Sequence, residues 1–582
     1  MISGISLNVN LLNFGLWHFV VVAAVAAVCV PSIHAVRLLT ILLHAEAFAS
    51  NFLTGDASPL IFFTMPSIFD NVAVKRPESS NFDLSIDVRS SFKMGQLAPV
   101  YSIDCVPGDR FSIQPTSLFR FAPLIAPVMH RVNTRMDFFF VPNRLLWTEW
   151  PDWITGASES EAPYIVIDTV DEGSIADYLG FPVGAYDTIV KVSPMVIAAY
   201  ILIWDEYYRD QDLQTEIFAP LVAGENASYV DYVTGADAAP KRRAWMRDYF
   251  TSARPFAQKG DDVMVPLVTQ DDIPVVLNAA GIPNPGLLKD ADDQTTLLGG
   301  TLVSTAGSLD VSPDTGGTVY DPNNTLSVDV QAMATDINTL RDAFALQAFL
   351  EADARGGNRY TESMKVHFDV NSSDARLQRP EMIGTVMGTM TISEVLSTNE
   401  SATVSLGQMG GHGIAFGAGD TLNYYCEEHG WIIGIVNVQP TSAYQDGIER
   451  AHTRFDRLDY LWPMFANLGE QEILNKEIQA RTGSGNGIFG YQRRYAEYAS
   501  AFSKVSGVFR TTLDFWTLAR KFEDSGGAPV LPVLNSEFIE CLPTDRIFVD
   551  QDPANNEIWA QFIFNINANR RLPQFGIPRL IG

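Results

Sequence analysis

Apolar and polar residues alternate with a period of two near both ends of this 582-residue chain, and that feature most narrows what it can fold into. Successive side chains of a strand point to opposite faces, so such a run buries one face and leaves the other in water. Ile86, Val88, Ser90, Phe92 and Met94 begin the pattern. A second run starts at Pro99, and Pro107-Gly108-Asp109 turns the chain toward Phe111 and Ile113. From Val128 a longer strand sets Val132, Thr134, Met136, Phe138 and Phe140 on one face against Arg131, Asn133, Arg135 and Asp137, and Pro142 closes it. Far along the chain Ile558, Ala560, Phe562, Phe564 and Ile566 repeat the alternation, while Trp431 to Val438 is a continuous apolar run suited to a strand buried on both faces. These runs predict a mainly β protein.

Other segments interrupt the strands. Ser193-Pro194 has the form of a helix start, with Val196, Tyr200, Trp204 and Tyr207 or Tyr208 as an apolar stripe and Asp205, Glu206, Arg209 and Asp210 as solvated charge. Asp336 is placed to cap a helix whose stripe is Leu340, Phe344 and Ala348, widened by Phe349, and Gly356-Gly357 is placed to end it. Short helices are expected over 469–478 and 512–522. Residues 260–334 shift to Asp, Gly, Thr, Asn and Pro and nearly lose basic residues, which predicts a surface insertion with some strand content. Residues 1–64 differ again: Leu16 to Val30 is almost wholly apolar, yet the first basic residue is Arg37, after that run. Three readings fit this leader: an upstream extension before a start at Met65, a membrane or signal segment, or folded structure. The first is the expectation adopted.

A net charge of −28 repels phosphate, so contact with nucleic acid requires a local basic patch or a separate basic partner. The densest basic stretch is Lys241, Arg242, Arg243, Arg247 and Arg254, interleaved with Trp245, Tyr249 and Phe256. That composition suits single-stranded nucleic acid or a subunit interface, and the interface is preferred. Trp147, Trp150 and Trp153 follow a strand end and read as a packing or subunit-contact surface rather than a ligand platform. Arg355-Gly356-Gly357 with Arg359 could be taken for a phosphate cradle, but it follows a helix where such cradles follow a strand. Cys426, His429 and His412 make one loose pair and an outlier, short of the two close pairs of a structural zinc site. The glycines from Gly483 to Gly490 lack the Lys-Ser/Thr end of a nucleotide loop, and no GxSxG elbow occurs. Cys29, Cys105, Cys426 and Cys541 are too far apart for a disulfide framework and fit reduced, buried thiols. Neither catalysis nor a cofactor is predicted.

Several phrases, in order, resemble the major capsid proteins of the microviruses, small single-stranded DNA phages, and specifically the gokushovirus-like branch. They include MDFFFVPNRLLW from Met136, LIWDEYYRDQDL from Leu202, RDYFTSARPFAQKG from Arg247, DARGGNRY from Asp353, SDARLQRPE from Ser373, EHGWIIGIVN from Glu428, GEQEILNKE from Gly469, FGYQRRYAEY from Phe489 and RRLPQFGIPRLI from Arg570. The resemblance runs from about Ser67 to the C-terminus. It implies a single jelly-roll β-sandwich with long insertions containing helices and a surface protrusion. The first strands and a helical insertion would occupy 65–259, the protrusion 260–334, and the helical connection with the remaining strands and tail 335–582.

By the same resemblance the subunits would assemble as pentamers into an icosahedral shell around circular single-stranded DNA. Implied partners are an internal scaffolding protein, a small basic DNA-binding protein, a pilot protein and a host surface receptor. The protein would reside in the virion, after assembly in the host cytoplasm. Family coat proteins begin near Ser67 without an apolar leader, which supports Met65 as the start. Candidate subunit-facing or DNA-facing residues are Arg376, Arg379, Arg570, Arg571, Arg243, Trp245, Trp147 and Trp150. The competing expectation is a membrane-tethered, carbohydrate-binding jelly roll, which the leader would anchor.

Overall fold

The computed structural model describes residues 78–575, apart from 264–272, most of 275–336, 399–408 and single positions. The apolar leader, Met65, Asp336 and the end of the tail lie outside the described residues. The strands of the two large sheets are β1 (Ser80–Asp83), β2 (Ile86–Phe92), β3 (Ala98–Cys105), β4 (Arg110–Phe121) and β5 (Val132–Pro142). After the insertions come β6 (Glu381–Thr389), β7 (Thr391–Leu396), β8 (Met409–Ala418), β9 (Leu422–Tyr425), β10 (Gly430–Pro440) and β11 (Ile558–Arg570). A seven-stranded sheet runs β1-β11-β4-β8-β7, with β2 beside β11 and β9 beside β4. A four-stranded sheet runs β6-β5-β10-β3, and the pairings within both sheets are antiparallel.

The alternating runs of β4 and β11 land as their periodicity demands. Ile86 at the start of β2, by contrast, is exposed, and the expected polar face of β5 is buried at Asp137, because that strand carries a second layer on its outer face. On β11, Ile558, Ala560, Phe562, Phe564, Ile566 and Ala568 are buried, and the strand pairs with β4 from Ile558 opposite Phe121 to Asn569 opposite Arg110. The two sheets share one core. The ring of Phe564 lies 5.2 Å from Tyr101 and 6.1 Å from Phe138, both of the facing sheet. Gly434 on β10 makes room for this seam, because a side chain there would place its Cβ 2.9 Å from the ring of Phe138. Met390, between β6 and β7, is buried and donates its N–H to the Val132 carbonyl at 2.9 Å. The chain crosses from one sheet to the other at that residue.

Burial of β10 on both faces has a direct cause. Ile432, Val436 and Val438 point into the core between the sheets, while Ile433 and Ile435 meet a second cluster around helix α1 (Met195–Ile203). The sequence predicts one apolar stripe on that helix, but Met195 to Ile201 are all buried, so it is wrapped on every side. Tyr200 accordingly finds partners inside, donating to the Leu97 carbonyl at 2.8 Å and accepting the Lys241 N–H at 3.0 Å. Nor is Asp205 solvated charge. It is 3% exposed, pairs with Arg209 at 3.0 Å and accepts the N–H groups of Ile217 and Phe218.

Two expected helices shrink to single short turns within their segments. Glu470–Leu474 is a strand paired with Ile488–Arg493, and a single helical turn, Asn475–Ile478, follows it. Gln471 and Ile473 are buried alternately, a strand period too short to recognise. Over 512–522 a three-residue turn, Asp514–Trp516, forms, because Arg546 draws the carbonyls of Asp514, Thr517 and Ala519 to its guanidinium. Helices α2 (Ile337–Gly356) and α3 (Tyr360–Phe368) do form, but Phe344 and Phe349 of the expected apolar stripe are exposed. In the 260–334 insertion three antiparallel strand pairs nest one inside another: 273–274 with 327–328, 289–290 with 317–318, and 301–305 with 308–312.

Truncating Phe564 to Ala is expected to destabilise the fold by about 3–5 kcal/mol, measured by denaturant unfolding, because it empties the seam between the sheets. A pH effect centres on Glu557, which is 8% exposed and accepts the Met94 N–H at 3.0 Å. Burial pushes its carboxyl from an ordinary 4.5 up to about 7, opposed by the Met94 N–H and reinforced by Asp545. The folded state therefore holds this proton more tightly than the unfolded chain. The resulting stabilisation is complete below pH 4.5 and is lost as pH rises through about 7. Thermal melts of Glu557→Gln should lack this component, worth on the order of 3 kcal/mol.

Candidate functional site

The basic-aromatic stretch is stitched into the fold rather than displayed on it. Its backbone links the start of β3 to a late segment: Leu97 N–H meets the Lys241 carbonyl, Arg243 N–H the Gly95 carbonyl and Cys541 N–H the Arg243 carbonyl. Arg242 donates to the carbonyls of Met94 and Cys541 at 3.1 and 3.3 Å. Arg243 lies 5.6 Å from the centre of the Tyr208 ring, and burial pulls its pKa down, while Tyr208 and Asp137 counteract this. Trp245 is 4% exposed, with the guanidinium of Arg520 5.0 Å from its ring. Arg254 pairs with Asp212 at 2.6 Å and Asp210 at 3.4 Å. Arg247 is the exposed member.

The tryptophans gather but do not form an open platform. Trp147 is 1% exposed, and its ring centre lies 6.5 Å from Trp150 and 5.6 Å from Trp153. Trp150 is half-buried and faces His429 at 5.6 Å. Cys426, the other member of the loose metal pair, is buried in the core between the sheets with Cys105.

The arginines around the glycine pair are also committed within the chain. Gly357 has φ +104°, a conformation that favours glycine, and a Cβ there would run into the Glu362 carboxylate, so this pair ends α2 as expected. Arg355 pairs with Glu470 and Glu351, and Arg359 donates to the Arg209 carbonyl at 2.8 Å. Arg379 pairs with Asp374 at 3.3 Å and lies 4.2 Å from the centre of the Tyr207 ring, whose hydroxyl donates to the Pro380 carbonyl at 2.6 Å. Arg376, by contrast, is exposed.

At the C-terminal end of β11 the paired arginines separate in role. Arg570 forms an ion pair at 3.3 Å with Asp109, which is fully buried, and donates to the Asp104 carbonyl at 2.6 Å. It thereby ties the last strand to the turn between β3 and β4. Arg571 is exposed and lies along Gly108, where a Cβ would come within 2.9 Å of its Nε. Thus Arg376 and Arg571 present open side chains, whereas Arg243, Arg379, Arg570, Trp147 and Trp245 are largely engaged inside. No one site collects the candidates.

Sequence reasoning misses the most conspicuous surface feature, the segment from Phe455 to Leu468. Phe455 is 89% and Met464 78% exposed, with Tyr460 and Trp462 about half exposed beside them. Its signal is compositional: RFDRLDYLWPMF mixes the aromatic, Met and Arg side chains enriched in protein interfaces.

Comparison with known proteins finds relatives of this amino-acid sequence. The profile of the capsid protein (F protein) family matches residues 70–580. Capsid protein VP1 of Chlamydia phage 1 is 33% identical over 599 aligned residues, covering 89% of this chain and 98% of the relative. VP1 of Bdellovibrio phage phiMH2K is 34% identical over 534, covering 86% and 96%. VP1 of Spiroplasma virus 4 is 30% identical over 532, covering 84% and 93%.

Replacing Arg570 with Ala should destabilise the chain by on the order of 2 kcal/mol in urea unfolding, since it strands a buried carboxylate while itself being partly solvated. Arg571→Ala should shift the same curve by less than about 0.5 kcal/mol.

Proposed function

The chain belongs to the phage capsid protein (F protein) family and is a major capsid protein of the microvirus kind, and on that premise we propose how it builds its shell. Its two antiparallel sheets form a single jelly roll that is the wall unit, and subunits associate as pentamers into a small icosahedral shell around circular single-stranded DNA. The observation that carries the reading is the match itself, which extends over nearly the whole length of relatives named capsid protein. Its role is structural rather than catalytic.

Charge supports a division of labour. At −28 the subunit is a poor counterion for DNA, so packaged phosphate is neutralised chiefly by a small basic protein. Arg376 and Arg571 are the candidates among the predicted residues for contacts with neighbouring subunits or DNA. An internal scaffolding protein and a pilot protein complete the assembly set. Assembly takes place in the host cytoplasm, and the 260–334 insertion protrudes to meet a host receptor. The tethered carbohydrate-binding alternative gains nothing from the match, and no helix among the described residues is long and apolar enough to cross a membrane.

The test is to express the full chain, alone and with its scaffolding partner, and examine the products by sedimentation velocity and electron microscopy. Pentamers and closed shells of one diameter are the expected outcome. A chain that stays monomeric with and without the partner, at every concentration tested, would overturn the reading.

A further inference from the structure

Residues 450–468 contain three short turns, Arg450–Thr453, Arg457–Asp459 and Pro463–Phe465. Several of their polar groups bond within the loop or to its base, while Asp456, Arg457 and Asp459 stay exposed. Asp459 Oδ2 accepts the N–H groups of Phe455 and Asp456 at 2.9 and 2.8 Å, and the Trp462 indole N–H donates to the Arg457 carbonyl at 2.8 Å. The backbone N–H groups of Leu461 and Trp462 reach the hydroxyls of Tyr498 and Tyr495 at 3.2 and 3.4 Å. The guanidinium of Arg454 sits 4.2 Å from the centre of the Tyr498 ring and pairs with Glu497 at 3.2 Å.

Large apolar tips face outward beside them. Beyond Phe455 and Met464, Leu468 is 60% exposed, Tyr460 52%, and Trp462 and Leu458 46% each. A buried aromatic side chain covers about 150–250 Å², so these tips together offer on the order of 600 Å². That is at the top of the ~300–600 Å² range for the largest apolar patch on a typical monomer. It is also most of the ~800 Å² that each partner contributes to a standard interface. Because the turns are already braced by hydrogen bonds, little ordering cost remains to be met on docking.

We infer that this loop is an anchor by which one copy of the chain docks on another, an inference that rests on the coat-protein reading above. Three observations favour a second copy as the occupant. A capsid subunit must present surfaces to its own copies, and a ring closes when one patch meets a different patch on the next copy. The patch area is close to what such a contact needs. Arg457, exposed on the loop and without an acidic partner among the described residues, offers a guanidinium to an acidic side chain of the facing surface, in a chain with 68 acidic residues against 40 basic ones.

The test uses the full chain carrying Phe455→Ser and Met464→Ser together, with Phe455→Leu as the conservative variant. These side chains are mostly in water, so circular dichroism and thermal unfolding of the unassembled chain should be unchanged. Sedimentation velocity and electron microscopy should show the concentration for half-assembly raised about tenfold or more in the double variant. Phe455→Leu should assemble close to the parent. Independently of any substitution, Met464 in the parent should oxidise more slowly in assembled particles than in free subunits. Assembly of the double variant at the parent's concentration, or Met464 oxidation indifferent to assembly, would overturn the inference while leaving the coat-protein reading standing. So would unchanged assembly with lost binding of a different virion protein, which would assign the loop to that partner. A parent that never self-associates would fail the coat-protein reading itself, and this inference with it.

Discussion

The pairing of β11 with β4 is the interaction on which the rest of the structure depends. It runs twelve residues deep, from Ile558 opposite Phe121 to Asn569 opposite Arg110, and the free edge of β11 receives β2 and then β1. The last strand of the chain thus lies at the heart of the larger sheet, between strands made at the beginning. Without it Phe562 and Phe564 leave the core, the facing ring of Phe138 loses its partner, and β1 and β2 have no edge to pair with. Such long-range closure is slow to form because the intervening chain must be ordered first. Arg570 adds a fastening at the far end of the strand, where a buried Asp109 requires a cation.

Long periodic segments are legible in the amino-acid sequence alone. The one-sided strand β11 and the two-sided strand β10 stand out because burial imposes a pattern on every second residue, or on all of them. Strand β5, by contrast, reads as one-sided and is buried on both faces from Met136 onward, with Asp137, Phe139 and Val141 inside. What is not legible depends on tertiary partners. Residues 470–474 pair as a strand over only five positions, too few to separate a period of two from helical spacing. The segment 512–522 looks helical by propensity, but Arg546 claims its carbonyls from outside. Helix α1 is recognisable from its residues, yet its total burial is not, since that follows from β5 and β10 together with a separate strand, Ile165–Val170, and the segments around Trp147 and Tyr229.

The arginines illustrate the same limit for function. A guanidinium reads identically in sequence whether it faces DNA, a neighbouring subunit or a carboxylate of its own chain. With 68 acidic residues against 40 basic ones, most arginines among the described residues find an internal acid, carbonyl or ring. Arg243, Arg379 and Arg570 do so, each with a specific partner far away in sequence. The Phe455–Leu468 loop is illegible for the complementary reason: its aromatic composition suits a core as well as a contact surface, and only its outward direction distinguishes the two.

The nested strand pairs of the 260–334 insertion carry a consequence for how such a lineage can change. The chain on either side is joined at its base by the Lys259 N–H on the Leu350 carbonyl, at 3.4 Å, and successive pairs then climb inward from 273–328 to 301–312. Each rung brings the two arms together before the next loop begins, so residues can be added or lost beyond a rung without moving those below it. Closing a longer loop costs only logarithmically more. The two large sheets are therefore insulated from length variation beyond the innermost pair, and the two parts can diverge at different rates.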